Sequence, residues 1–272
     1  MERMRSYLLR LCMLAVLVNL IVCLGVTPVK AEGEEEDRPT ASLYVDVLNQ
    51  YIFRGVAFSK DSAVIQPSMT ASYKGFSVNL WGNFDTDEPE DFGEGTDGAN
   101  WNETDFTASY THALYKELSG TVGVVYYSIV ADDSFEVFGG LSYALPWFNV
   151  AFTAYREVGH FPGWWFQLDV SKNIPLPWCG MSLDLATSFG YQTLEDDDTV
   201  LDLDGDEGHF SAPMAGIVSA ALNVPLGKYF AISPRVGVTF PLSGDGADRI
   251  EAASWDQEET HVFGGIRLSA AF

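Results

Sequence analysis

The sequence predicts an all-β protein: one closed antiparallel transmembrane β-barrel of about 12 strands, with short turns on the periplasmic side and longer, acidic external loops. Three observations lead there. Apolar and polar residues alternate with period two from residue 42 onward. The alternating segments are mostly 10–14 residues long, close to the roughly 9–11 that a tilted strand needs to cross a bilayer and twice the usual length of about 5–6 in soluble sheets. The connections alternate in length, a short turn following each longer loop.

The twelve segments are 42–55, 63–74, 76–86, 103–113, 117–130, 134–145, 148–158, 163–173, 180–192, 211–224, 229–240 and 259–272. The last shows the pattern most plainly. Val262, Gly264, Ile266, Leu268, Ala270 and Phe272 share one face, and His261, Phe263, Gly265, Arg267, Ser269 and Ala271 lie on the other. Lys74-Gly75, Pro146-Trp147 and Pro225-Leu226-Gly227-Lys228 are short turns. Thr86–Asn102, Thr193–Phe210 and Pro241–Glu258 are long and acidic. An even strand number puts both termini on the short-turn side. Lipid offers backbone groups no partner, so the sheet must close, and 42–55 is expected to pair with 259–272.

Residues 1–31 read as a secretory signal peptide. A basic start (Arg3, Arg5, Arg10) leads into an apolar stretch from Leu11 to Val26, and Val29-Lys30-Ala31 supplies small residues for cleavage. The apolar stretch falls short of the roughly 20 residues of a spanning helix. Residues 32–39 form an acidic leader, and 40–272 the barrel. The expected location is the outer membrane of a Gram-negative bacterium.

Charge narrows the function. The chain carries 38 acidic and 15 basic residues, net −23. Such a surface repels phosphate backbones, so nucleic acid is excluded as a partner. Alternation turns Asp46, Arg54, Asp105, Glu136, Glu157, Asp169, Asp184, Arg235 and Arg267 inward. Two readings fit this set: a channel lining with a preference for cations, or an ion-paired plug that fills the lumen. Twelve strands lie between barrels that side chains fill and barrels with a wide channel. Inward small residues such as Gly123, Gly190 and Gly237 favour open space.

Other features point to partners rather than catalysis. Asp202, Asp204 and Asp206 resemble the start of a calcium loop, but Glu207 and Pro213 stand where that loop needs Gly and Glu. A looser Ca²⁺ or Mg²⁺ site and a solvated charge run are both compatible with them; no other cofactor is implied. Asp85, Asp87 and Glu88 begin a second acidic loop, read the same way. Arg156 faces outward at the external end, where lipopolysaccharide phosphates would lie. A hydrolase would need Ser and His together at the rim. His160, His209 and His261, with Ser134 and Ser211, offer no local motif, so an enzyme is not expected.

The terminal Phe272, after alternating apolar residues, resembles the C-terminal signal of outer-membrane proteins, which implies the barrel assembly machinery as a partner. Tyr51-Ile52-Phe53-Arg54-Gly55-Val56, then Gln66-Pro67, Tyr73-Lys74-Gly75 and Trp81-Gly82, resemble the opening of the uncharacterised proteobacterial Gcw_chp family. The resemblance implies an exported barrel and carries no functional residues. The expected function is a porin-like channel for small solutes. The alternatives are a non-conducting structural or binding barrel with cation-binding loops, and third a membrane-embedded hydrolase.

Overall fold

The computed structural model describes residues 38–89, 98–129, 133–159, 162–195 and 209–272. Twelve antiparallel strands close into one barrel. In chain order they are β1 (Thr40–Leu48), β4 (Val64–Tyr73), β5 (Phe76–Glu88), β6 (Gly98–Tyr115), β7 (Leu118–Ile129), β8 (Ser134–Ala144), β9 (Asn149–Glu157), β10 (Gly163–Pro175), β11 (Ser182–Leu194), β12 (Phe210–Leu226), β13 (Phe230–Pro241) and β14 (His261–Ala271). Two further strands, β2 (Ile52–Phe53) and β3 (Val56–Ala57), and one helix, α1 (Gly244–Ala253), lie in connections.

Each wall strand pairs with its sequence neighbour. Closure comes from β1 against β14, with Asp46 opposite Arg267 and Leu48 opposite Gly265. Phe272 and Ala41 exchange backbone hydrogen bonds at the seam. The outside is apolar: Leu43, Val45 and Val47 on β1 and Val262, Ile266 and Leu268 on β14 are exposed, while Asp46 between them is buried. Among the described residues no helix is long and apolar enough to cross a membrane.

The turns at the terminus-bearing end are tight. Lys74 (φ 50°) and Gly75 (φ 84°) both take positive φ, the requirement of the two-residue hairpin turn whose twist matches the strands.

The segment 42–55 is not one strand. The wall strand stops at Leu48 because Asn49 substitutes for the ladder. Its side chain donates to Val262 O and accepts from Gly264 N, so β14 keeps its partners while the main chain leaves the wall. Residues 49–63 then fold into the barrel as a small β2–β3 hairpin. Its turn is Arg54-Gly55, with φ of 52° and 97°. A Cβ on Gly55 would lie 2.4 Å from Ala215 Cβ, so the hairpin seats flush against β12 only with glycine there.

The segment Pro241–Glu258, read as an acidic loop, contains α1. Ser243 caps it, accepting from Gly246 N at 2.9 Å and donating to Pro213 O. Ile250 anchors it, fully buried against Trp165, Met214 and Ala215.

Candidate functional site

The infolded hairpin, α1 and the wall enclose a cavity of about 500 Å³ toward the loop end of the barrel. Its apolar wall includes Phe53, Phe58, Trp165 and Trp255, and its polar groups include Arg54, Glu103, Glu136, Glu157 and Arg249.

The hairpin is tied to the wall by charge-assisted hydrogen bonds. Arg54 donates Nη1 and Nη2 to the two oxygens of Glu136 at 2.7 and 2.8 Å. Its guanidinium also lies about 5 Å from the ring centres of Phe53, Tyr155 and Trp165. Tyr127 donates to the same carboxylate. Tyr51 donates from its hydroxyl to Glu103 at 2.8 Å. Ala57 N donates to Ser254 Oγ, and Trp255 N to Ala57 O, joining the hairpin to the end of α1.

The other inward charges are met by neighbours on the wall. Asp46 is 3% exposed and accepts from Arg235 Nη1 at 3.1 Å and from Arg267 Nε and Nη2 at 2.8 and 2.7 Å. Glu157 accepts from Ser134 Oγ and from the backbone of Phe135 and Gly159. Asp169 accepts from Gln167 and Ser188, and Asp184 from Asn173 and Asn223. Asp105 is half-buried, with Oδ1 fully buried and unpaired. The inward set thus forms local networks rather than one constellation: Arg54 meets Glu136, and Asp46 gathers Arg235 and Arg267.

Several expectations are corrected. The inward glycines do not leave open space. The ring of Trp165 covers Gly190, that of Phe263 covers Gly237, and that of Phe138 covers Gly123. Asp85 and Glu88 are not solvated loop residues: they lie on β5, 0% and 1% exposed. Glu88 accepts from Asn100 and Asn102. Arg156, expected to face outside phosphates, has its guanidinium occupied by Glu195 in a two-bond pair at 2.7 Å. Those bonds hold the Glu195 carboxyl below its ordinary range.

Asp202, Asp204 and Asp206 lie outside the described residues, as does His160. Among the described residues no group of three His, Cys, Asp or Glu side chains is arranged to hold a metal. Nor does a serine bond a histidine among them: His261 meets Asp256, Ser134 meets Glu157, and Ser211 meets Tyr191.

Sequence reasoning missed Tyr51, Glu103, Tyr127 and Arg249, and put Glu88 in an external loop rather than at the cavity. Glu103 was reachable, since it shares a strand face with Asp105. Tyr51 lies in segment 42–55, where alternation sets it on the face opposite Arg54, and Arg249 sits in a connection, where alternation says nothing about direction.

The model of a family described as bacterial protein of unknown function (Gcw_chp) matches residues 32–199. The chain belongs to this family. The match runs well beyond the opening hairpins that carry the resemblance in sequence. No curated protein matches. Among solved structures, the NanC porin in a rhombohedral crystal form is similar at 9% identity and a TM-score of 0.52, over 85% of this chain and 98% of that one. The COG4313 outer membrane channel from Pseudomonas putida F1 is similar at 12% identity and 0.50, over 91% and 100%. At such identity the likeness is one of fold. This Gcw_chp member therefore shares a small closed barrel with those proteins, and its infolded hairpin, within the matched residues, carries Tyr51–Val56 into the interior.

Proposed function

We propose that this chain is an outer-membrane channel for small solutes, narrowed at its external end by the segment 49–63. The observation that carries this reading is the inversion of polarity across the wall. Apolar side chains face out along the strands, charged and amide side chains face in, and the sheet leaves no edge. Lipid tolerates no other arrangement of a sheet. The fold likeness to a porin and to an outer membrane channel supports it.

The finer features follow from the same reading. Residues 1–31 direct export, 32–39 form an acidic leader, and the chain resides in a Gram-negative outer membrane with lipopolysaccharide around its external rim. Phe272 presents the C-terminal strand to the barrel assembly machinery. The surplus of inward carboxylates favours cations in the pore. Asp202, Asp204 and Asp206 offer Ca²⁺ or Mg²⁺ a weak external site.

A second reading has its own support. The Arg54–Glu136 pair, with Tyr51 on Glu103, fills the interior with ordered side chains, as in a barrel that binds without conducting. Planar-bilayer recording of the refolded protein under a salt gradient separates the two. Steady open levels with cation preference support the channel. A folded, heat-modifiable barrel without conductance overturns it in favour of the binding barrel.

A further inference from the structure

Among the described residues, the interior arginines Arg54, Arg235 and Arg267 each meet a carboxylate. Arg249 on α1 does not. Its Nε donates to Gln192 Oε1 at 3.3 Å, its guanidinium lies 5.1 Å from the Phe210 ring centre, and its buried Nη1 has no hydrogen-bond partner. Burial holds its pKa below the ordinary arginine range. A buried guanidinium nitrogen with no hydrogen-bond partner is costly unless something completes it.

The acids around the cavity are differently placed. Glu88 is held by Asn100 and Asn102, Glu103 by Tyr51, Glu136 by Arg54 and Tyr127, and Glu157 by Ser134 and two backbone amides. Each of these carboxylates already accepts at least one hydrogen bond from the protein. Arg249 Nη1 is an unmet donor on this wall, and the surface of the cavity it lines is largely aromatic.

We infer that the cavity is a binding site for a small solute bearing one carboxylate, which pairs with the Arg249 guanidinium while its apolar body lies against Phe53, Phe58, Trp165 and Trp255. A single negative charge suits the site, because the nearby acids repel a second. The inference goes beyond the channel reading, since the site would bind whether or not the barrel conducts.

Calorimetric titration of the refolded full-length barrel with benzoate tests it, with benzamide and benzylamine as neutral and cationic counterparts of the same shape. Saturable binding of benzoate is expected, with both counterparts at least about tenfold weaker, as loss of one charge-assisted hydrogen bond implies. Arg249→Gln is expected to weaken benzoate about tenfold or more, and Arg249→Lys less, because it keeps the charge and loses the fork. Heat modifiability shows whether each variant folds. If Arg249→Gln does not fold, the ranking of the three probes on the unsubstituted protein decides. No benzoate binding, equal binding of benzoate and benzamide, or undiminished binding by a folded Arg249→Gln overturns the inference. Binding without conductance sinks the channel reading alone.

Discussion

Arg54 and Glu136, 82 residues apart in sequence, are joined by two hydrogen bonds at 2.7 and 2.8 Å across the barrel interior. The turn of the infolded hairpin is thereby fixed to β8. The carboxylate is 4% exposed and the guanidinium 17%, so neither partner is left well hydrated when the other is removed.

Arg54→Gln therefore leaves a buried, uncompensated Glu136, and about 3 kcal/mol of stability is expected to be lost, as for other broken buried pairs. Glu136→Gln strands the arginine in the same way. Urea unfolding in liposomes followed by tryptophan fluorescence measures both. A loss below about 0.5 kcal/mol, typical of surface substitutions, would show that the hairpin is not anchored by this pair.

Gly55→Val tests the hairpin's seat. The position has φ 97°, and a Cβ there would meet Ala215 Cβ at 2.4 Å. The hairpin is expected to be displaced while the twelve-stranded wall still forms. In the channel reading, single-channel conductance then rises above that of the unsubstituted protein. An unchanged conductance with a heat-modifiable barrel would mean that segment 49–63 does not narrow the path.

Asp46→Asn removes the one carboxylate shared by Arg235 and Arg267. Two cations are then uncovered on the interior wall. If that wall lines the path of ions, the reversal potential in a salt gradient is expected to move toward anion preference. A fixed reversal potential with intact conductance would place Asp46 outside the path.

Val236→Arg addresses the outer face. Val236 lies mid-way along β13 and is 54% exposed, facing outward between half-buried Arg235 and buried Gly237. In lipid, an arginine near the middle of a strand's outer face is expected to cost about 2–4 kcal/mol. Unfolding in liposomes measures it. A cost near zero would argue against a lipid-facing wall.

Most of the wall was legible in the sequence. Period two is enforced wherever one side of a strand meets lipid and the other meets polar groups, because a slip of one residue would invert every side chain. That is why segments such as 76–86 and 134–145 match β5 and β8 to within two residues. Lys74-Gly75 was legible as a turn for a local reason: the two residues tolerate positive φ.

The interior was legible only in part. Alternation placed Asp46, Glu136 and Arg267 on the inner face but named no partners, because pairing across a barrel joins residues far apart in sequence. It failed between Leu48 and Val64, where Tyr51 to Val56 still alternates yet pairs with itself inside the wall. The same signal is produced by a strand in the sheet and by a hairpin folded against it. Glu88 was read as solvated because acids outside a recognised strand usually are, and Asp85, at the end of segment 76–86, was grouped with it. Here β5 runs longer than the segment that alternation marks, and carries both inward.

The sequence by itself determined a closed β-barrel and its strands, because lipid imposes a rule that each strand obeys locally. Only the tertiary structure decided what the interior holds: the Arg54 turn on Glu136, rings over the inward glycines, and Arg249 beside the cavity with no acid on it among the described residues. Those relationships depend on where the chain leaves the wall and how deeply each connection folds back. Such choices are set by contacts between segments far apart in the chain, and no local pattern records them.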